Sequence, residues 1–63
     1  MSDADRKDRA AAARFWAGLD SDERFSIGDD LVLGQFDWRE WLNAKPSAAF
    51  LDALDHERLL WES

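Results

Sequence analysis

Apolar residues fall into four groups along the chain, each with a residue that caps helices near its start, and the first three closed by one that breaks them. In the first, Ala4, Ala11, Ala12, Phe15 and Leu19 share one face with Asp8 at 100° per residue. Alanine, arginine and lysine dominate the stretch, and all three favour helix. Ser2 is placed to cap it, with Asp3 and Asp5 at the positive end of the helix dipole. A helix is predicted over 3–18, closed by Gly18. Trp16 falls at the edge of its apolar face.

The second group is Phe25, Ile27 and Leu31-Val32-Leu33. Asp20 and Glu23 have capping-box spacing, and Ser26 and Asp29 repeat it. The stretch 21–33 therefore reads as one helix weakened by Gly28 or as two short turns, with Gly34 as a stop. The run 31–36 also has the composition of a short strand. Such a strand would need a hairpin or another chain to pair with.

The third group is Phe36, Trp38, Trp41 and Leu42. Asp37 and Glu40 form a capping-box pattern, and Phe36 and Trp41 have the spacing of a hydrophobic staple. A helix is predicted over 37–45, ended by Pro46 because the residue before proline avoids helical geometry. Ser47 then caps a last helix over 47–61. Phe50, Leu54 and Trp61 line its apolar stripe, flanked by Leu51 and Leu60, with Leu59 roughly opposite. The fold class expected is all-α: one small domain, 1–63, of three to four short helices. Its core should join Phe15, Leu19, Leu31, Trp41, Leu42, Phe50 and Leu54.

Size sharpens this picture. A chain of 63 residues buries only about 60% of its unfolded surface. With no cysteine, neither a disulfide nor a thiolate metal site can supplement the core. Four Trp and four Phe argue against disorder. So small a domain rarely hides four indoles. Trp38 and Trp41 are expected inside. Trp16 and Trp61 are the expected exposed anchors, tryptophan being enriched at interface hot spots.

Charge is uneven. The formal net charge is −6. Residues 1–14 hold four bases against three acids, whereas residues 15–63 hold four bases against eleven acids. Asp20, Asp22, Glu23, Asp29 and Asp30 crowd one segment with only Arg24 among them. Direct nucleic-acid binding is disfavoured on charge. No apolar run is long enough for a membrane span, and the charged N-terminus does not resemble a secretion signal. A cytoplasmic location is expected.

Candidate chemistry is sparse. His56 is the single imidazole. Ser21, Ser26 and Ser47 lack the glycine pattern of a nucleophile elbow. His56 with Asp52 or Asp55 supplies too few ligands for zinc. The acidic runs lack the order of a calcium-binding loop. Glu57 falls within the apolar stripe and calls for a salt bridge to Arg9 or Arg14, for a basic group on another protein, or for solvent. Neither catalysis nor a cofactor or metal is expected.

Two function classes remain. One is an acidic inhibitor or adaptor docking on a basic, nucleic-acid-handling protein, in type like the nucleic-acid mimics that act against restriction or CRISPR nucleases. Its binding surface would join Asp20, Asp22, Glu23, Asp29 and Asp30 to an anchor at Trp16 or Trp61. The other is a small accessory subunit or antitoxin held by apolar contacts through exposed aromatics, with homo-oligomers allowed and the acids serving solubility.

Overall fold

Helix capping divides the chain as the sequence implies, with one exception. The computed structural model describes residues 2–63, in which α1 spans Asp3–Ala17, α2 Ser21–Leu33 and α3 Ala48–Glu62. Between α2 and α3 lies a single 3₁₀ turn, Trp38–Glu40. The fold is all-α, and no strand occurs among the described residues.

Each helix start is fixed by a local side chain. The Asp5 N–H donates to Ser2 Oγ at 3.2 Å, and the Phe50 N–H donates to Ser47 Oγ at 3.1 Å. At α2 the capping box is complete: the Glu23 N–H donates to Asp20 Oδ1 at 2.8 Å, and the Asp20 N–H to Glu23 Oε1 at 3.0 Å. These bonds satisfy backbone donors that helix geometry leaves free. Ser47 acts twice, since its hydroxyl also donates to Asp8 Oδ2 at 2.7 Å. That bond ties the start of α3 to α1 across 39 residues of sequence.

The alternative strand over 31–36 does not form. Helix α2 continues through Gly28 to Leu33, without a break at Ser26 or Asp29. Gly34 then adopts the left-handed region at φ 69°, the Gln35 N–H donates to the Asp30 carbonyl at 2.8 Å, and the Gly34 N–H donates to the Leu31 carbonyl at 3.3 Å. This Schellman closure satisfies carbonyls that a strand would have left without a partner.

The predicted helix over 37–45 is corrected. Only Trp38–Glu40 is helical, as a 3₁₀ turn. Asp37 Oδ1 accepts from the Arg39 N–H at 3.0 Å, two residues on, so its cap closes a tight turn and not an α-helical one. The Leu42 N–H reaches the Trp38 carbonyl at 2.7 Å, but nothing propagates beyond it before Pro46. Between Gly34 and Pro46 there is too little chain to offset helix nucleation.

Helix α3 packs mainly along α1 and more sparingly against α2. The buried core is Ala12, Trp16, Ile27, Phe50 and Leu54. Of the expected core, Phe50 and Leu54 are buried, while Phe15, Leu19, Leu31, Trp41 and Leu42 are half-buried around them. The Phe15 and Phe50 rings lie 6.1 Å apart in a tilted pair. In α1 the expected face turns inward in part: Ala12 is buried and Ala11, Phe15 and Leu19 pack half-buried against the core, while Trp16, expected at the edge, is buried and Ala4 is exposed. No helix among the described residues is long and apolar enough to cross a membrane.

Candidate protein-docking surface

The crossing of α2 over α3 decides which side chains of α2 meet solvent. Gly28 is buried at this crossing, and a Cβ built there would lie 3.2 Å from Arg58 Cδ and 3.4 Å from Arg58 Cγ. The missing side chain is what lets the aliphatic stem of Arg58 pass beneath α2. Arg58 is itself buried. Its guanidinium donates from Nε to Asp55 Oδ1 at 2.9 Å and from Nη1 to Glu62 Oε2 at 2.8 Å. The hydrogen bond that it donates to Asp55 holds the guanidinium pKa above its ordinary value, with the charges of Asp55 and Glu62 adding to it and desolvation opposing them. Gly28→Val should cost about 1–3 kcal/mol by overpacking this crossing, read as a lower midpoint in urea with α-helical circular dichroism retained at zero denaturant. A Val variant as stable as the parent would mean that the contact at Gly28 is not close-packed.

With Gly28, Ile27 and Leu31 turned inward, helical phase sends Asp22, Phe25, Asp29, Val32 and Leu33 outward. Phe25 is 60% exposed, Val32 63% and Leu33 65%. Asp22 and Asp29 lie among them, about 10 Å apart along the axis at 1.5 Å per residue. The other acids of the segment are placed differently. Asp20 and Glu23 are held in the capping box, and Asp30 is half-buried on the flank. The five carboxylates therefore do not form one sheet of charge: two project with the apolar residues, two serve the helix start and one lies to the side.

The expected anchors are corrected. Trp16 is only 4% exposed and belongs to the core. Its ring meets Trp61 edge to face at a centroid distance of 5.9 Å, and Trp61 in turn meets Phe25 at 4.8 Å. Trp61 is half-buried, so it clasps the end of α3 to α1 and α2 and does not project. Arg24 completes the clasp. Its Nε and Nη2 donate to the Trp16 and Ala17 carbonyls, each at 3.2 Å, and its Cζ lies 6.0 Å from the Trp61 ring centre. The last carbonyls of α1 thus gain a cation where the helix dipole favours one. The aromatic side chain that projects on this side is Phe25, which sequence reasoning left out. Its phase with Asp22 and Asp29 was the available signal.

Among the described residues, depressions lie on two sides of α3. The larger, about 560 Å³, lies between the end of α2, the connection 34–46 and the middle of α3. The smaller, about 330 Å³, is lined by Arg9, Asp52, Ala53, His56 and Glu57. Glu57 is half-buried and shares this cleft with Arg9, and among the described residues neither Arg9 nor Arg14 forms an ion pair with it, so the expected salt bridge does not form. Among the described residues no serine hydroxyl bonds to His56, and no three of His, Asp and Glu converge as a metal ligand set. Comparison with protein-family models, curated proteins and solved structures finds no match to this chain.

Proposed function

We propose that the protein is a small acidic protein–protein interaction module, an inhibitor or adaptor that docks on the basic surface of a nucleic-acid-handling protein. The observation that carries this reading is the outward face of α2, where Asp22 and Asp29 sit among the exposed Phe25, Val32 and Leu33. Carboxylates on such a face steer a basic partner into encounter, and desolvated apolar side chains lengthen its residence. The formal charge of −6 adds a long-range attraction that fades with salt. The reading assigns no catalysis and no cofactor to the chain. It treats nucleic acid as what the partner handles and a cytoplasmic site as where the two would meet.

A second reading, an accessory subunit or antitoxin held by apolar contact, draws on the same face together with the exposed Leu59 and Leu60 of α3. Capture from host cells at low and high salt separates the two. The steering reading expects a basic nucleic-acid-handling protein that elutes with salt. It expects the association rate to fall about tenfold when Asp22, Asp29 and Asp30 are replaced by Asn, with the circular dichroism spectrum unchanged. Capture that resists salt and the Asn changes, but is lost in a Val32→Ser, Leu33→Ser variant, establishes the apolar reading instead.

A further inference from the structure

The larger groove has walls and charges that complement one kind of side chain. Leu31, Phe36, Trp38 and Leu51 supply apolar walls, and Asp52, Asp55 and Arg58 lie along one margin. Arg58 is already committed: Nε and Nη2 reach Asp55 Oδ1, at 2.9 and 2.8 Å, and Nη1 reaches Glu62 Oε2 at 2.8 Å. Asp55 Oδ2 lies outside that pair. Among the described residues no hydrogen bond or ion pair engages the Asp52 carboxylate, which is exposed. Two carboxylates, Asp52 and Asp55, and the one guanidinium of Arg58 line the groove, which leaves that margin with one negative charge in excess.

Apolar walls beside a negative margin suit an aliphatic stem that ends in a cation, which is how Arg and Lys side chains are built. The wall residue Trp38 already carries a guanidinium, with Arg39 Cζ 5.1 Å from its ring centre. A planar fork can meet two carboxylates in its plane while its face stacks on an indole, a geometry that the point charge of an ammonium does not offer. Val32 belongs both to this groove and to the outward face of α2. The groove thus continues the proposed docking face.

We propose that the groove is the pocket for an arginine of the basic partner protein, its stem lying on Leu31, Phe36 and Leu51 and its guanidinium meeting Asp52 and the outer oxygen of Asp55. The proposal rests on the reading of the chain as a module for a basic protein and gives that partner a specific anchor. Because a volume of about 560 Å³ exceeds one side chain, the residues beside the arginine would fill the remainder against Val32 and Pro46.

The probe is the capped tripeptide acetyl-Leu-Arg-Leu-amide, titrated into the ¹⁵N-labelled full chain by NMR. A companion peptide carries citrulline for arginine, which keeps the shape and removes the charge. Expected are saturable shifts confined to Leu31, Phe36, Leu51, Asp52 and the Trp38 indole, with binding about tenfold weaker for the citrulline peptide and for Asp52→Asn. Asp52 is exposed, so Asp52→Asn should retain the parent spectrum elsewhere. No saturable shift, equal binding of the two peptides, or shifts confined to Asp22–Asp29 would overturn the proposal. The two readings fail separately. A captured partner that loses affinity with the Asn changes on α2 but not with Asp52→Asn removes the arginine pocket and leaves the module. Arginine-selective filling of the groove with no basic partner captured leaves the pocket and removes the module.

Discussion

Trp16→Ala should lower stability by about 3–5 kcal/mol and leave a large unfolded population in buffer. A domain of this length holds roughly 3–9 kcal/mol in total at 0.05–0.15 kcal/mol per residue, so one substitution of this size removes much of it. The indole is 4% exposed and is shared by two helices, since it stacks edge to face on Trp61 at 5.9 Å. Its backbone carbonyl accepts from Arg24 Nε at 3.2 Å, and that bond survives in the alanine variant. The loss is therefore one of packing. Urea denaturation followed by far-ultraviolet circular dichroism reads it without interference from the other indoles. Phe25→Ala is the control, because its ring is largely exposed and leans on Trp61 by one edge. Its effect should be well below that of Trp16→Ala, while affinity for a partner falls. A Trp16→Ala variant that melts with the parent would return Trp16 to the surface role that its place at the edge of the sequence pattern suggested.

Trp16 shows where sequence stops being sufficient. Helix starts were legible because each is set within four residues: Ser2, the pair Asp20 and Glu23, and Ser47 all cap as their spacing implies. Gly34 was legible as a stop for the same reason. Which face of α1 turns inward is not a local property. Its alanines are too small to define a phase, and α3 meets both aromatics, with Phe50 against Phe15 and Trp61 against Trp16, so that the indole at the edge of the pattern is buried. The segment 37–45 fails in the opposite sense. Its cap signals are genuine, but the Asp37 carboxylate is taken by the Arg39 N–H, and the chain up to Pro46 is too short for a helix to propagate.

Arg58 was missed because the sequence pattern put Glu57, and not Arg58, within the apolar stripe of α3, whereas Arg58 is the buried one and Glu57 is half-buried. The signal lay beside it: acids three residues before and four residues after, Asp55 and Glu62, both within helical pairing distance. Gly28, read as a weakness of α2, is the space that Arg58 needs. Charge placement was legible only in part. The sequence locates a bunch of acids in 20–30, but the projection of Asp22 and Asp29, and the diversion of Asp20 and Glu23 into a cap, follow from helical phase and hydrogen bonding together. The groove is built from three separated stretches, 31–38, Pro46 and 51–58. No local pattern announces it.

Leu54→Ala should cost about 2–5 kcal/mol, with the position within that range decided by how far the site can collapse. Leu54 is fully buried in the same core cluster as Trp16 of α1 and Ile27 of α2. Collapse would require α3 to move, and α3 is held at both ends. The Ser47 hydroxyl bonds Asp8 at its start. At its far end Arg58 fills the space under Gly28, and Trp61 lies against Trp16 and Phe25. Held in this way, the helix leaves most of the vacated volume as a cavity, which places the cost in the upper half of the range. Ile27→Val, which removes one methylene from a fully buried neighbour, should cost about 0.5–1.5 kcal/mol. Leu60→Ala, at an exposed position on α3, should stay within about 0.5 kcal/mol of the parent. Urea midpoints for the three variants, with unchanged slopes, give the ordering directly. If Leu54→Ala and Leu60→Ala shift alike, the helices are stabilised by their own propensities and caps, and the three-helix core contributes little. A Leu54 loss at or above 2 kcal/mol beside a near-silent Leu60 places the stability at the junction of α3 with both of its neighbours. It also leaves the exposed Phe25, Val32 and Leu33 face free to be altered for binding without unfolding the chain.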